Sequence, residues 1–113
     1  MYRNKRIYLS GPYTNCKHIA PKVFDEAKQY LIKHGAMSVW SPTDEIDEKN
    51  TWQQAMDICN NALVPNKIDL MVIINNEYTR ESKGVEQEIA WAKERHIRMH
   101  FLQRQPMSSG TTI

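Results

Sequence analysis

Residues 68–74 read Ile-Asp-Leu-Met-Val-Ile-Ile, the most apolar stretch of the chain. Nearly continuous hydrophobicity over so few residues is typical of a parallel β-strand that is covered by helices on both faces. Three further short apolar runs, rich in residues that favour strands, predict strands of the same sheet. They cover residues 6–12, 37–42 and 97–102.

Segments with helical spacing separate these runs, because their apolar residues recur at intervals of three and four. They cover residues 21–34, 51–63 and 84–96. Strands that alternate with helices indicate a parallel sheet. We therefore expect one Rossmann-like α/β domain over residues 1–104, with a parallel sheet of four to five strands and helices on both faces. Residues 105–113 form a polar C-terminal tail in this interpretation.

The composition favours some classes of protein over others. The formal net charge is +2, and its signs are interspersed along the chain, which gives no argument for a nucleic-acid partner. No apolar run approaches the length of a membrane span, and no secretory leader is recognisable. Cys16 and Cys59 do not form a CxxC pair, and the four histidines show no spacing typical of metal ligands. We expect a reduced, cytoplasmic protein that binds neither a metal nor a cofactor.

The loop after the first strand is a candidate binding site, because ligands of parallel sheets bind beyond the carboxyl ends of the strands. Gly11 would let the backbone approach a ligand, and Ser10, Pro12 and Tyr13 surround it. With one glycine the loop is neither a Walker loop nor a GxGxxG motif. A plain strand-to-loop turn is the alternative, and for this loop taken alone we favour that alternative.

The start of the last helix is a second candidate. Ser82 occupies the position of an N-cap, and Gly84 leaves the first turn without a side chain. Free N–H groups at such a helix start attract anions, so a phosphate fits there. Capping by Ser82 alone, without any ligand, is the alternative.

Glu88 is the most informative residue of this helix. It lies about 60° from the centre of the apolar stripe that Val85, Ile89 and Ala92 form. A carboxylate beside an apolar stripe, near a helix start on the ligand side of a sheet, is a candidate nucleophile or base. The alternative is a boundary glutamate paired with Arg95 or a lysine.

The three tryptophans are candidates for stacking on a nucleobase. For Trp40 and Trp91 we favour packing in the core. Trp52, at the start of a helix after a polar loop, is open to either interpretation.

The order of these motifs resembles the nucleoside 2-deoxyribosyltransferase superfamily. The motifs are Ile-Tyr-Leu-Ser-Gly-Pro-Tyr-Thr, the Val-Trp-Ser-Pro strand end, W-x-x-x-M, an apolar strand after Asp69, and S-x-G-x-x-x-E. The resemblance extends from Arg6 to Leu102 and is greatest to short members and to deoxynucleoside 5′-monophosphate N-glycosidases.

The resemblance implies roles for particular residues. Glu88 takes the position of the family nucleophile, which attacks the anomeric carbon, and Tyr8 takes that of the tyrosine that orients it. Two residues before the glycine, the transferases have an acid and the monophosphate glycosidases a serine that helps to hold phosphate. Ser82 at this position favours a 5′-monophosphate over a free nucleoside.

Some positions depart from the family pattern. The acid of the middle helix, which contacts sugar or base, corresponds either to Asn61 by gapless counting or to Asp57 one turn earlier. Glu86 replaces a second glycine, and a segment beyond the last strand is shorter.

From these residues we expect N-glycosidic cleavage or deoxyribosyl transfer on nucleoside 5′-monophosphates, through a covalent glycosyl-glutamate. The alternatives are a catalytically silent nucleotide-binding or interaction module and a glycohydrolase of NAD-type nucleotides. The resemblance also implies a homodimer or larger homo-oligomer. In it, Ser108 to Gly110 would reach a partner's phosphate, and the helix carrying Trp52 and Met56 would supply apolar contact.

Overall fold

The computed structural model describes residues 1–103. The predicted tail, including Ser108 to Gly110, lies outside the described residues. The strands are β1 (Arg6–Ser10), β2 (Ser38–Trp40), β3 (Leu70–Asn75) and β4 (Arg98–Gln103). The helices are α1 (Ala20–Lys33), α2 (Pro42–Glu45), α3 (Trp52–Ala62) and α4 (Lys83–Glu94), and short 3-10 turns form at Thr14–Cys16 and Thr79–Glu81.

The four strands form one parallel sheet in the order β2-β1-β3-β4. In the register of the sheet, Ile7 of β1 lies opposite Val39 of β2 and Leu70 of β3. This arrangement confirms the predicted α/β class, the parallel sheet and the number of strands.

The sheet separates two apolar cores, which confirms that helices cover both faces. On one face α1 packs against alternate residues of β1 and β3; the core residues there include Ile7, Leu9, Phe24, Leu31, Val72 and Ile74. On the other face α3 and α4 pack side by side; their core includes Tyr8, Cys59, Leu63, Met71, Ile73 and Val85. Because side chains of a strand alternate between faces, Tyr8 faces α3 and α4 while its neighbours face α1.

The helix ends follow local sequence signals. Gly35, just after α1, has a φ of +95°, a conformation that glycine adopts without steric cost. Thr51 and Gln54 form a reciprocal capping box at the start of α3.

Most element boundaries differ from the sequence-based expectation by one or two residues, and two of the differences have a local cause. The segment expected to be a loop from Thr43 begins with the short helix α2, because Pro42 suits a first helical position. The third strand begins at Leu70, two residues later than expected. Asp69, just before it, accepts hydrogen bonds from the backbone and guanidinium of Arg6.

No helix among residues 1–103 is long and apolar enough to cross a membrane. Within the same residues, no cluster of three or more His, Cys, Asp or Glu side chains is arranged to hold a metal ion.

Candidate active site

The site lies where the connections of the sheet diverge. The chain leaves β1 through α1 on one face and leaves β3 through α4 on the other, while β1 and β3 are hydrogen-bonded neighbours. In open parallel sheets, such a switch in direction leaves a crevice at the carboxyl ends of the two strands. Ser10 ends β1 at this point, and Asn75 ends β3.

Glu88 of α4 points into the protein at this position. The Tyr8 hydroxyl donates a hydrogen bond to Glu88 Oε2, and Ser10 Oγ donates one to Oε1 at 2.8 Å. Tyr8 and Ser10 lie two residues apart on β1, so both face α4. Glu88 is 5% exposed, so it is buried and is not the boundary glutamate of the alternative interpretation.

The alternative that Glu88 pairs with Arg95 is wrong. The Arg95 guanidinium instead donates to the backbone carbonyls of Leu63 at 2.7 Å and Asn60 at 3.1 Å, and it lies over the Trp91 ring. Arg95 therefore caps the end of α3 and joins it to α4. No ion pair compensates the Glu88 carboxylate among the described residues.

Glu88 is buried, and no cationic side chain forms an ion pair with it among the described residues, so burial dominates its ionisation. Desolvation raises its pKa from 4.5 to about 7, although hydrogen bonds from Tyr8, Ser10 and Cys59 act in the opposite direction. Burial, followed by repulsion from the Glu88 charge, raises the pKa of Tyr8 well above its usual value. At neutral pH the site thus combines a neutral phenol with a carboxyl group that is close to its own pKa. That combination suits a nucleophile or a general acid–base.

Cys59 belongs to this group of side chains, and sequence reasoning treated it only as an ordinary thiol. It lies on the buried face of α3, where it interacts with both Tyr8 and Glu88. Burial, then the neighbouring Glu88 charge, raises its pKa to about 12. The thiol is therefore protonated and acts as a donor toward Glu88. The sequence feature that indicates its position on the buried face of α3 is its spacing, three residues after Met56 and four before Leu63.

Trp40 also contacts the site. Its ring stacks on the Tyr8 ring with 4.7 Å between centroids and 13° between planes. This confirms that Trp40 packs in the protein, and it fixes the orientation of the phenol that reaches Glu88.

Trp91 packs against the same core. Trp52 is 48% exposed and remains available to a ligand or a partner.

The start of α4 has the expected cap. Ser82 Oγ accepts a hydrogen bond from the Val85 N–H at 3.2 Å, so this hydroxyl is already engaged as an N-cap. A Cβ added to Gly84 would meet Met56 Sδ at 3.7 Å, an ordinary contact. Packing within the chain therefore does not require glycine at position 84.

Gly11 has a different explanation. A Cβ at this position would lie 3.1 Å from Ile74 and from the Phe24 ring, closer than about nine in ten real contacts of a Cβ atom. Internal packing alone accounts for this glycine, which we had interpreted as a point of close approach to a ligand. Pro12 beside it is buried, and Tyr13 is partly buried against the α1 core.

The two candidate acid positions on α3 do not join the site. Asp57 and Asn61 are both exposed, and Asp57 accepts a hydrogen bond from Gln53 at 3.0 Å. No hydrogen bond between described residues connects either of them to Glu88. On this helix the structure places Cys59 beside Glu88.

A surface pocket of about 590 Å³ lies beside the carboxyl end of β4. It is lined by the loop after β3, by residues of the first half of α4 and the N-cap before it, including Ser82 and Ile89, and by Phe101. Glu88 does not line this pocket.

The fold and this site define a parallel α/β domain with a buried, uncompensated carboxyl group at the switch point of its sheet. Residues 5–101 match the family described as Domain of unknown function (DUF4406), and the chain belongs to this family. The matched span includes Tyr8, Ser10 and Glu88. No curated protein and no solved structure matches the chain.

Proposed function

We propose that the protein cleaves the N-glycosidic bond of nucleoside 5′-monophosphates, with Glu88 as the nucleophile. The observation that supports this most directly is the buried Glu88 carboxyl, held through both oxygens by Tyr8 and Ser10. Two donors leave the carboxylate oriented but not neutralised, which a nucleophile requires. The resemblance to nucleoside 2-deoxyribosyltransferases supports the same assignment.

The reaction proceeds in two displacements. A Glu88 oxygen attacks the anomeric carbon of the sugar as the bond to the base breaks, and the base leaves with the bonding electrons and then takes up a proton. Water next attacks the same carbon, which releases the sugar phosphate and restores the carboxylate. If a second base attacks in place of water, the net reaction is deoxyribosyl transfer.

The start of α4 would bind the phosphate. Its first turn carries backbone N–H groups, and neither Ser82 nor Gly84 places a large side chain over them. Lys83 is exposed at the same turn, so its charge is available to the phosphate. A phosphate there lies one helical turn from Glu88, in the direction in which α4 side chains lean.

The hydrogen bonds of Glu88 assign roles to its neighbours. Tyr8 and Cys59 stay protonated at neutral pH, because burial and the Glu88 charge raise the pKa of each. Both therefore act as donors that orient the carboxylate. Attack requires the ionised form of Glu88, so turnover should rise through the pKa of about 7 as the pH increases.

Incubation with a panel of nucleoside 5′-monophosphates and nucleosides, followed by chromatography of free bases, tests the proposal. We expect the wild type to release base from at least one monophosphate. Glu88→Gln should release none while still binding the nucleotide. Glu86→Gln, on the exposed side of the same helix, is the matched control and should keep wild-type turnover. Equal turnover of wild type and Glu88→Gln would refute the nucleophile assignment.

A nucleotide-binding module without catalysis is the second candidate. The exposure of Asp57 and Asn61 favours it, because neither supplies the site with the acid of the middle helix. Such a module would show a nucleotide-dependent rise in melting temperature and no release of base or sugar phosphate.

We also propose that the protein acts as a homodimer or larger homo-oligomer. Trp52 and Phe101 are large side chains that are 48% and 46% exposed. Met56 is only 7% exposed, so on the helix that carries Trp52 and Met56 the contact to a partner would come from Trp52. Light scattering at micromolar concentration tests the proposal, and a species with the 13.3 kDa mass of one chain would refute it.

A further inference from the structure

Glu88 cannot meet a sugar in the arrangement described. It is 5% exposed, and Ser10 beside it is fully buried. If Glu88 attacks an anomeric carbon, as the proposed function requires, some side chain must move first. The need for such a movement rests on the proposed function, but access to Glu88 can be measured without any substrate.

Three sides of the Glu88 carboxyl are closed by packed groups. Tyr8 and Ser10 cover the sheet side through their hydrogen bonds. Trp40 is stacked behind Tyr8, and Cys59 lies on the side of α3. Movement of any of these would disturb β1 or the core between the sheet and α3. The remaining direction runs along α4 toward its first turn.

Side chains of a helix lean toward its N-terminus, so Glu88 leans over the turn that contains Gly84. Gly84 has no side chain of its own. The nearest atom to its missing Cβ is Met56 Sδ, at 3.7 Å. Met56 comes from α3 and is itself 7% exposed. Its side chain therefore packs against α4 at Gly84, one helical turn before Glu88 and on the same face of the helix.

We propose that Met56 closes the entrance to Glu88 and that the sugar of the substrate displaces this side chain. Methionine suits such a position, because it is unbranched and has three rotatable side-chain bonds. It can swing away without movement of the backbone of α3. Gly84 keeps the opposing surface flat, so the vacated space lies against the start of α4.

Carboxyl labelling measures this access directly. A water-soluble carbodiimide with an amine converts accessible carboxyl groups to amides in mildly acidic solution, and peptide mass spectrometry gives the rate at each residue. Glu86, exposed on the same helix, serves as the internal reference in every sample.

We expect Met56→Ala to label Glu88 about tenfold faster than wild type or more, with an unchanged rate at Glu86. Met56→Leu should label at nearly the wild-type rate, since leucine restores most of the cover. Ile58→Ala, a partly buried residue of the same helix, controls for a general loss of stability. An unchanged Glu88 rate in Met56→Ala, or an equal rise in Ile58→Ala, would overturn the proposal.

The outcome is independent of catalysis. If Met56→Ala exposes Glu88 but no variant cleaves a nucleotide, the closure of Glu88 by Met56 is supported and the proposed function fails. If the wild type cleaves nucleotides and Met56→Ala leaves the labelling rate of Glu88 unchanged, the proposed function is supported and the closure by Met56 is refuted.

Discussion

Replacing Glu88 by Gln should change how the stability of the protein depends on pH. The amide keeps the size of the carboxyl group and retains hydrogen-bonding atoms toward Tyr8 and Ser10, but it does not ionise. Wild type and variant therefore differ mainly in the titration of the carboxyl group at position 88. Measurement of this difference tests the environment of Glu88 without any assumption about substrate.

The magnitude follows from the pKa of Glu88, which burial raises from 4.5 to about 7. That difference of about 2.5 pH units corresponds to about 3 kcal/mol, at 1.36 kcal/mol per unit. Because the pKa is higher in the folded state, the contribution to stability is fully present below pH 4.5. It is lost as the pH rises through about 7, where the buried carboxyl must ionise.

The assay is urea unfolding of wild type and Glu88→Gln at a series of pH values from about 4 to about 9. The quantity of interest is the difference in free energy of unfolding at each pH. Asp69, whose pKa is lowered by its hydrogen bonds from Arg6, acts in the opposite sense at low pH. It is present in both proteins, so its contribution cancels.

We expect wild type to lose about 3 kcal/mol relative to Glu88→Gln across this range. Glu86→Gln, which replaces an exposed glutamate of the same helix, should give a curve parallel to wild type. If the curves of wild type and Glu88→Gln are also parallel, Glu88 has an ordinary pKa and the site described here is wrong.

Three further substitutions test neighbouring parts of the site. Gly11→Ala should cost about 1–3 kcal/mol of stability in thermal or urea unfolding, because its Cβ would lie 3.1 Å from Ile74 and Phe24; a neutral result would contradict the packing explanation. Ser82→Ala should cost about 1 kcal/mol through loss of the cap and should weaken binding of monophosphates by a further 1.5–3 kcal/mol or so in calorimetry. Equal weakening for nucleosides would leave Ser82 as a cap only. Cys59→Ala should move the pH midpoint of turnover upward, since its hydrogen bond lowers the pKa of Glu88; a downward shift would contradict its role as a donor.

The fold could be predicted from the sequence because its signals are local. The apolar run before Asn75, the helical spacing after Pro21 and Gly35 just past α1 each act within a few residues. Alternation of these elements then leaves few arrangements other than a parallel sheet. The short helix α2 was missed, because a polar segment of this length has no apolar spacing to reveal it.

The site was only partly predictable, because burial depends on contacts distant in the sequence. Spacing within α4 placed Glu88 beside the apolar stripe, but its partners Tyr8 and Ser10 come from β1 at the other end of the chain. The role of Cys59 depends on how α3 packs against α4, which no local pattern encodes. Gly11 and Gly84 look equivalent in sequence, yet only Gly11 is required by internal packing.

The central claim, that Glu88 is the nucleophile, is tested most directly by isolation of the covalent intermediate. The protein is mixed with a cleavable deoxynucleoside 5′-monophosphate, quenched in acid during turnover and digested for peptide mass spectrometry. The account predicts a deoxyribose phosphate ester on Glu88 in the wild type and none in Glu88→Gln. Release of base by the wild type with the ester on another residue, or with the same turnover in Glu88→Gln, would contradict it.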